Sequence, residues 1–223
     1  IKLLQEARIK KEVGGKIMID EEKKINFAGT VSYNRVPVEE DESIDYKVTV
    51  NGNPVFVHYA RVSAYPVNQF LRDYQRPVDQ TEMSSFASWQ MTGPVEIQVA
   101  SSCPMNSAKI RPYSSGIKPC LKGDIIQFTI PRTGQFTVEI NDYHKALHLF
   151  ANPPEENVPS YDDPNVLYFG PGVHCAGLIH LHSSQTMYLA DGAIVYGAIL
   201  CEKSENIIIR GRGILDGSKF SRY

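Results

Sequence analysis

The stretch Met187-Tyr-Leu-Ala-Asp-Gly-Ala-Ile-Val-Tyr-Gly197, followed by Ile209-Arg-Gly-Arg-Gly-Ile-Leu-Asp-Gly217, sets the architecture. In each, an apolar run of a few residues is closed at once by Gly or by Asp-Gly. The pattern extends upstream. Val166-Leu-Tyr-Phe169 leads to Gly170-Pro-Gly172, Leu178-Ile-His-Leu181 to Ser183-Ser184, and Thr186-Met-Tyr-Leu189 to Asp191-Gly192. Ala193-Ile-Val-Tyr196 ends at Gly197, Asn206-Ile-Ile-Ile209 at Gly211 and Gly213-Ile-Leu215 at Asp216-Gly217. Strands this short, closed this tightly, fit the coils of a parallel β-helix, in which each turn stacks on the last. The repeat is loose, and an ordinary meander is the competing reading.

Upstream of these coils lies a different texture. Residues 153–165 hold Pro153, Pro154, Pro159 and Pro164 among Glu155, Glu156, Asp162 and Asp163. Proline is excluded from central strands and acids solvate a segment, so this reads as a linker. Residues 25–152 alternate strand after strand. Tyr46-Lys-Val-Thr-Val50 is followed by Asn51-Gly52-Asn53-Pro54, where Asn-Gly accepts the positive φ of a type I′ hairpin, and Val55-Phe-Val-His-Tyr59 reads as the returning strand. Val95–Val99, Ile125–Ile130 and Gln135–Ile140 alternate in the same way. One apolar and one polar face per strand predicts a two-sheet β-sandwich. Residues 1–24 stand apart. Ile1–Val13 is compatible with an amphipathic helix ended by Gly14-Gly15, or with a disordered terminal extension.

The composition excludes several functions. Lys and Arg number 23 against 25 Asp and Glu, a net charge of −2, which leaves no concentrated basic surface for nucleic acid or an anionic membrane. No run approaches the roughly 20 apolar residues of a membrane helix. The chain opens at Ile1 without a charged-then-apolar leader, and a removed signal peptide and a trimmed chain both account for that. Cys103, Cys120, Cys175 and Cys201 form no Cys-x-x-Cys pair, which argues against zinc. They read as buried free thiols, with Cys103–Cys120 the one pairing worth testing.

The residues also carry a resemblance. Gln75-Arg-Pro-Val-Asp-Gln-Thr-Glu82, Ser85-Phe-Ala-Ser-Trp89, Val166-Leu-Tyr-Phe-Gly-Pro-Gly-Val-His174 and the two opening segments resemble the N-terminal part of the pectinase-like β-helix glycoside hydrolases. The resemblance covers residues 46–223 and is to the dextranase and isopullulanase type, with polygalacturonases as more distant relatives. It implies an all-β chain in which an N-terminal β-sandwich is followed by a right-handed parallel β-helix. It also implies a polysaccharide or oligosaccharide partner, an extracellular or periplasmic location, and hydrolysis of an α-linked glycan without metal or organic cofactor.

That chemistry needs a positioned carboxylic acid and a second carboxylate. In the family these come from middle coils, in Asn-Thr-Asp and Asp-Asp motifs with later His and Arg-x-Lys signatures. Asn-Thr-Asp is absent here. Asp162-Asp163 sits in the proline segment and reads as a solvated turn, and Arg8-Ile9-Lys10 lies ahead of the sandwich. No catalytic residue is therefore assigned. The 58 residues from Val166 to Tyr223 make two to three coils at roughly 20–25 residues each, so the β-helix is expected to be truncated and the chain to be a fragment of a longer enzyme or a short relative.

Gly192, Gly211, Gly213 and Gly217 read as structural turns, glycine letting the chain bend without a Cβ clash, and Asp216 as a carboxylate bonding nearby backbone N–H groups. His174, His180 and His182 cluster, but no third ligand is fixed and no metal site is assigned. Trp89 and Tyr59 are weak candidates for stacking on a sugar face, with Tyr65, Tyr74 and Phe86 nearby. A core anchor is the competing reading of Trp89. Arg76 is expected to pair with Asp79 or Glu82. The function expected is the non-catalytic N-terminal region of a secreted glycoside hydrolase, dextran-directed or pectic. The alternative is a carbohydrate-binding or purely structural module, and an adhesion sandwich ranks last because it leaves Val166 onward unexplained.

Overall fold

The alternation read from the sequence is realised as burial. In the computed structural model, which describes residues 29–34, 37, 41–64 and 78–218, the strands before the proline segment point their apolar residues to one side. They are β1 (Val31–Tyr33), β2 (Tyr46–Val50), β3 (Asn53–Val55), β4 (His58–Ser63), β5 (Thr81–Met91), β6 (Val95–Ser101), β7 (Ala108–Arg111), β8 (Cys120–Lys122), β9 (Ile125–Ile130), β10 (Gly134–Ile140) and β11 (Leu147–Asn152). One sheet runs β1-β5-β11-β10-β7, with β4 also paired to β5, and the other runs β3-β2-β6-β9-β8. Val95, Ile97 and Val99 of β6, Ile126, Phe128 and Ile130 of β9, Phe136, Val138 and Ile140 of β10, and Leu147, Leu149 and Ala151 of β11 meet in one hydrophobic cluster. Each large aliphatic fully buried there contributes about 1.5–3 kcal/mol by leaving water. Trp89 and Met91 join from β5.

The Asn51-Gly52 turn takes φ of 49° and 80°, and β2 pairs with β3 from Val48↔Val55 to Val50↔Asn53. Asn51 Oδ1 accepts the Glu96 N–H at 2.8 Å, fastening the turn to β6. The expected strand Val55–Tyr59 does not form as one piece. β3 stops at Val55, and β4 begins at His58 in the other sheet, where His58 pairs with Phe86. Val57 at the crossing is fully buried and its carbonyl accepts the Ser43 N–H at 2.7 Å. Val55 and Val57 alternate identically whether a strand continues or changes sheet, so the pattern did not distinguish the two.

After the proline segment the pairing becomes parallel. β12 (Val166–Phe169), β14 (Thr186–Leu189) and β16 (Ile208–Gly211) form one sheet, and β13 (Gly172–His180), β15 (Ala193–Leu200) and β17 (Ile214–Asp216) form another. Val166 pairs with Thr186 and Thr186 with Ile208, so the chain returns to the same edge after 20 and then 22 residues. Ile179, Leu181, Met187, Leu189, Ala193 and Val195 fill the space between the two sheets. The chain is all-β, with stacked parallel coils following two sheets that share a core. Residues 1–24, Tyr65, Tyr74 and Arg76 lie outside the described residues.

The turns explain the glycines. Gly192 takes φ +82°. Gly211 takes φ +133°, and a Cβ there would collide with the Leu189 carbonyl of the coil before it. A Cβ on Gly213 would lie 2.8 Å from both the Ala190 and Ala193 oxygens. Gly217 is different, since a Cβ there meets nothing nearer than the Gly197 oxygen at 3.8 Å. Asp216 Oδ1 accepts the Ser218 N–H at 2.7 Å.

Alanine at Gly211 is accordingly expected to cost about 3 kcal/mol or more, through positive φ and backbone collision together. Alanine at Gly213 is expected to cost about 1–3 kcal/mol, and alanine at Gly217 to stay within about 0.5 kcal/mol. Urea unfolding of the three variants checks the order. Equal loss at Gly211 and Gly217 would mean that coil stacking does not press on these turns.

Candidate functional site

Alternation that sends Ala87, Trp89 and Met91 inward sends Ser84, Phe86, Ser88 and Gln90 to the outer face of the same sheet. Strand register then builds a row across that face. His58 stands opposite Phe86, Phe86 beside His148, His148 opposite Thr137, and Thr137 opposite Arg111. His58 stacks on Phe86 with ring centroids 4.8 Å apart and planes 16° apart, and Phe86 meets Phe150 edge-on at 6.2 Å. Thr137 Oγ1 lies 3.0 Å from His148 Nδ1, and Arg111 Nε donates to Glu139 Oε2 at 3.1 Å.

Two clefts open along this face. The first, about 220 Å³, lies where the sheet meets the coils. The sheet side supplies Asn34, His58, Phe86, Ser88, Phe150 and Asn152, and the coils supply Gly192 to Ile194 and Gly211 to Ile214, including Arg212. Ser88 Oγ accepts from Asn34 Nδ2 at 3.0 Å and from Asn152 Nδ2 at 3.1 Å. The second cleft, about 370 Å³, is lined by Glu82, Ser84, Arg111, Thr137, Glu139 and His148, with Tyr143 at its rim.

Glu82 and Glu139 are the two carboxylates of the second cleft, and both are engaged. Glu82 accepts from His144 Nδ1 through Oε2 at 2.8 Å and from the Lys145 N–H through Oε1 at 3.1 Å. Its described partners lie in the turn before β11, and the expected pairing of Arg76 with Asp79 or Glu82 lies outside the described residues. Glu139 holds Arg111, whose guanidinium also sits 3.8 Å over the Tyr113 ring. The pairs suit orientation of a ligand's hydroxyls.

The proline segment is tied down at Glu155, in contrast to the solvated reading of that acid, while Glu156, Asp162 and Asp163 are exposed as that reading has them. The Glu155 N–H donates to Gln90 Oε1 at 2.7 Å, and its carboxylate accepts from Tyr188 Oη at 2.9 Å and faces Arg210 at 3.7 Å. Burial and the bond to Glu155 push the Tyr188 hydroxyl up to about 12. Arg212 Nη2 donates to the Pro153 carbonyl at 2.8 Å.

The structure separates the aromatic candidates. Trp89 is fully buried in the core, and Tyr59 is half-buried with its hydroxyl accepting the Ile44 N–H at 2.9 Å. Neither lines a cleft, while Phe86 lines the first. His174 lies against Phe169, its Nε2 2.7 Å from the Gly170 oxygen. His180 and His182 are exposed, and among the described residues no group of His, Cys, Asp and Glu is placed to hold a metal. The four cysteines are free, but all are exposed, which corrects the expectation of buried thiols. They sit in short connecting segments or on the outer sides of strands, where apolar alternation gives no inward position. Asn34, Ser88, Asn152 and Arg212 were missed. The serine carried a signal, its place in the alternation of β5, and the others come from distant segments.

His58 generates a pH prediction. Burial lowers its imidazole from 6.5 to about 4. The unfolded chain therefore binds a proton below pH 6.5 that the folded chain refuses until about pH 4. The stability this gives is full above pH 6.5 and is lost as pH falls towards 4. His148, also lowered by burial, acts in the same direction. The urea midpoint is expected to fall across that window, and to fall less in His58→Phe. Parallel profiles would show that His58 is not held neutral.

No protein-family model matches the sequence, and no curated protein matches it. Among solved structures the chain is similar to Dex49A from Penicillium minioluteum, at 18% identity and a TM-score of 0.55 over 82% of this chain. The match spans 48% of that protein, so the chain corresponds to about half its length. At this identity the likeness is one of fold alone.

Proposed function

We propose that the chain is the non-catalytic opening region of a secreted hydrolase acting on an α-linked glycan, dextran-like or pectic. In this reading residues 25–152 are its β-sandwich, 153–165 the connection and 166–223 the first coils of a right-handed β-helix. The observation that carries the reading is the order of parts. A likeness over 82% of the chain is too long to fit within either half, so it takes in both the two-sheet body and the parallel coils. The sequence resemblance to dextranase-type enzymes points to the same class. β16 and β17 have a described partner along one edge only, and a further coil would stack on the other edge.

A carbohydrate-binding role without turnover is the second reading, favoured by the two clefts of mixed polar and apolar lining on the outer sheet face. Incubation of the chain with dextran, pullulan and polygalacturonate is expected to release no reducing ends. Release from any of them would overturn the non-catalytic reading. The reading frame beyond Tyr223 is expected to encode further short strands with paired aspartates, and a stop codon there would remove the hydrolase reading.

A further inference from the structure

The first cleft contains an imbalance that the fold itself does not resolve. Asn34 Oδ1, an acceptor, and Arg212 Nε, a donor, belong to residues lining it, and both atoms are buried without a partner. Buried polar groups are almost always paired, and an unpaired one costs free energy that a ligand can recover. The remaining polar atoms are organised. Asn34 Nδ2 donates to Ser88 Oγ, and Arg212 Nη2 is held by the Pro153 carbonyl. Turning the Asn34 amide over exchanges an orphan acceptor for an orphan donor and does not remove it. Ser88 Oγ already accepts from two amides, so its own hydroxyl hydrogen remains to be given. A small rotation that brings either orphan atom to the cleft wall gains a bond, and that atom has none to lose.

The walls are as specific as the polar atoms. Phe86, Phe150 and the His58 ring give the sheet side its apolar surface, and Ile194 and Ile214 stand among the glycines of the coil side. Among the described residues, the side chains lining this cleft include no carboxylate. Its volume of about 220 Å³ lies below the roughly 300–1,000 Å³ of sites for drug-sized ligands, and suits a single ring.

We propose that the cleft between sheet and coils binds one pyranose unit of a glycan, with the C–H face of the ring against Phe86 and Phe150 and its hydroxyls on Asn34, Ser88 and Arg212. A pyranose combines an apolar face with a rim of donors and acceptors, as these walls require. The site rests on the glycan reading above and extends it from a class to a location. The site would hold the chain of sugar at the junction and bring no bond to cleavage.

The test is calorimetric titration of the chain with isomaltotriose, maltotriose and trigalacturonic acid, with saturation-transfer NMR to identify the sugar protons in contact. At least one saccharide is expected to bind, with ring C–H protons receiving the transfer. Binding of trigalacturonate alone would place its carboxylate on Arg212 and still support the site. Asn34→Ala and Arg212→Lys are each expected to raise the Kd about tenfold or more, the loss of one well-placed hydrogen bond, with the melting temperature recorded alongside. If Arg212→Lys unfolds through loss of the Pro153 contact, Asn34→Ala carries the test. No saturation by any of the three at about 10 mM, or binding unchanged in both variants, would overturn the proposal. Failure to bind leaves the non-catalytic reading standing, and cleavage by the chain would overturn that reading without touching this site.

Discussion

Glu155 is the joint of the molecule. Its backbone N–H is held by Gln90 on the sheet, and its carboxylate meets Tyr188 on one coil and Arg210 on the next. Three elements that could otherwise rotate past one another are thereby fixed to one residue. The carboxylate is mostly shielded, with its side chain 12% exposed, so its bonds are stronger than those of a surface pair. Arg212 repeats the arrangement one step along by holding Pro153. These contacts tie together the sheet and the coils that also line the first cleft.

The sequence made the strands legible because alternation is a local property. β2, β6, β9 and β10 lie where apolar residues recur at every second position. The coils were legible because glycine and aspartate mark where a stacked strand must end. The change of sheet at Phe56-Val57 was not, since a valine buried in one sheet and a valine buried between two look alike in a string. Of the acids in the proline segment, Glu155 misled for a related reason. Charge is written in the sequence, but the partner that removes it from water is not. Tyr188 and Arg210 lie 33 and 55 residues beyond Glu155.

The candidate site was the least legible part. Asn34, Ser88, Asn152 and Arg212 come from four segments, and no spacing relates them. The aromatic residues drew attention by their size, yet size favours the core, and Trp89 went there. Phe86, three positions before it, falls on the outer face because strand residues an odd number apart face opposite ways. A one-residue slip in β5 would have exchanged the two.

The parallel pairing of β5 with β11 bears on how the chain comes together. Ser85 meets Leu147 across 62 residues, whereas Val166 meets Thr186 across 20. Closing the longer loop costs about 1 kcal/mol more in chain entropy, by the logarithmic dependence on length. Contacts between distant segments also slow the search for a fold. The coils can therefore gather by short-range steps, each on its neighbour, while the two sheets await a long-range meeting. Different parts of one chain order themselves by different routes, and the outer sheet face is complete only when the slower one has finished.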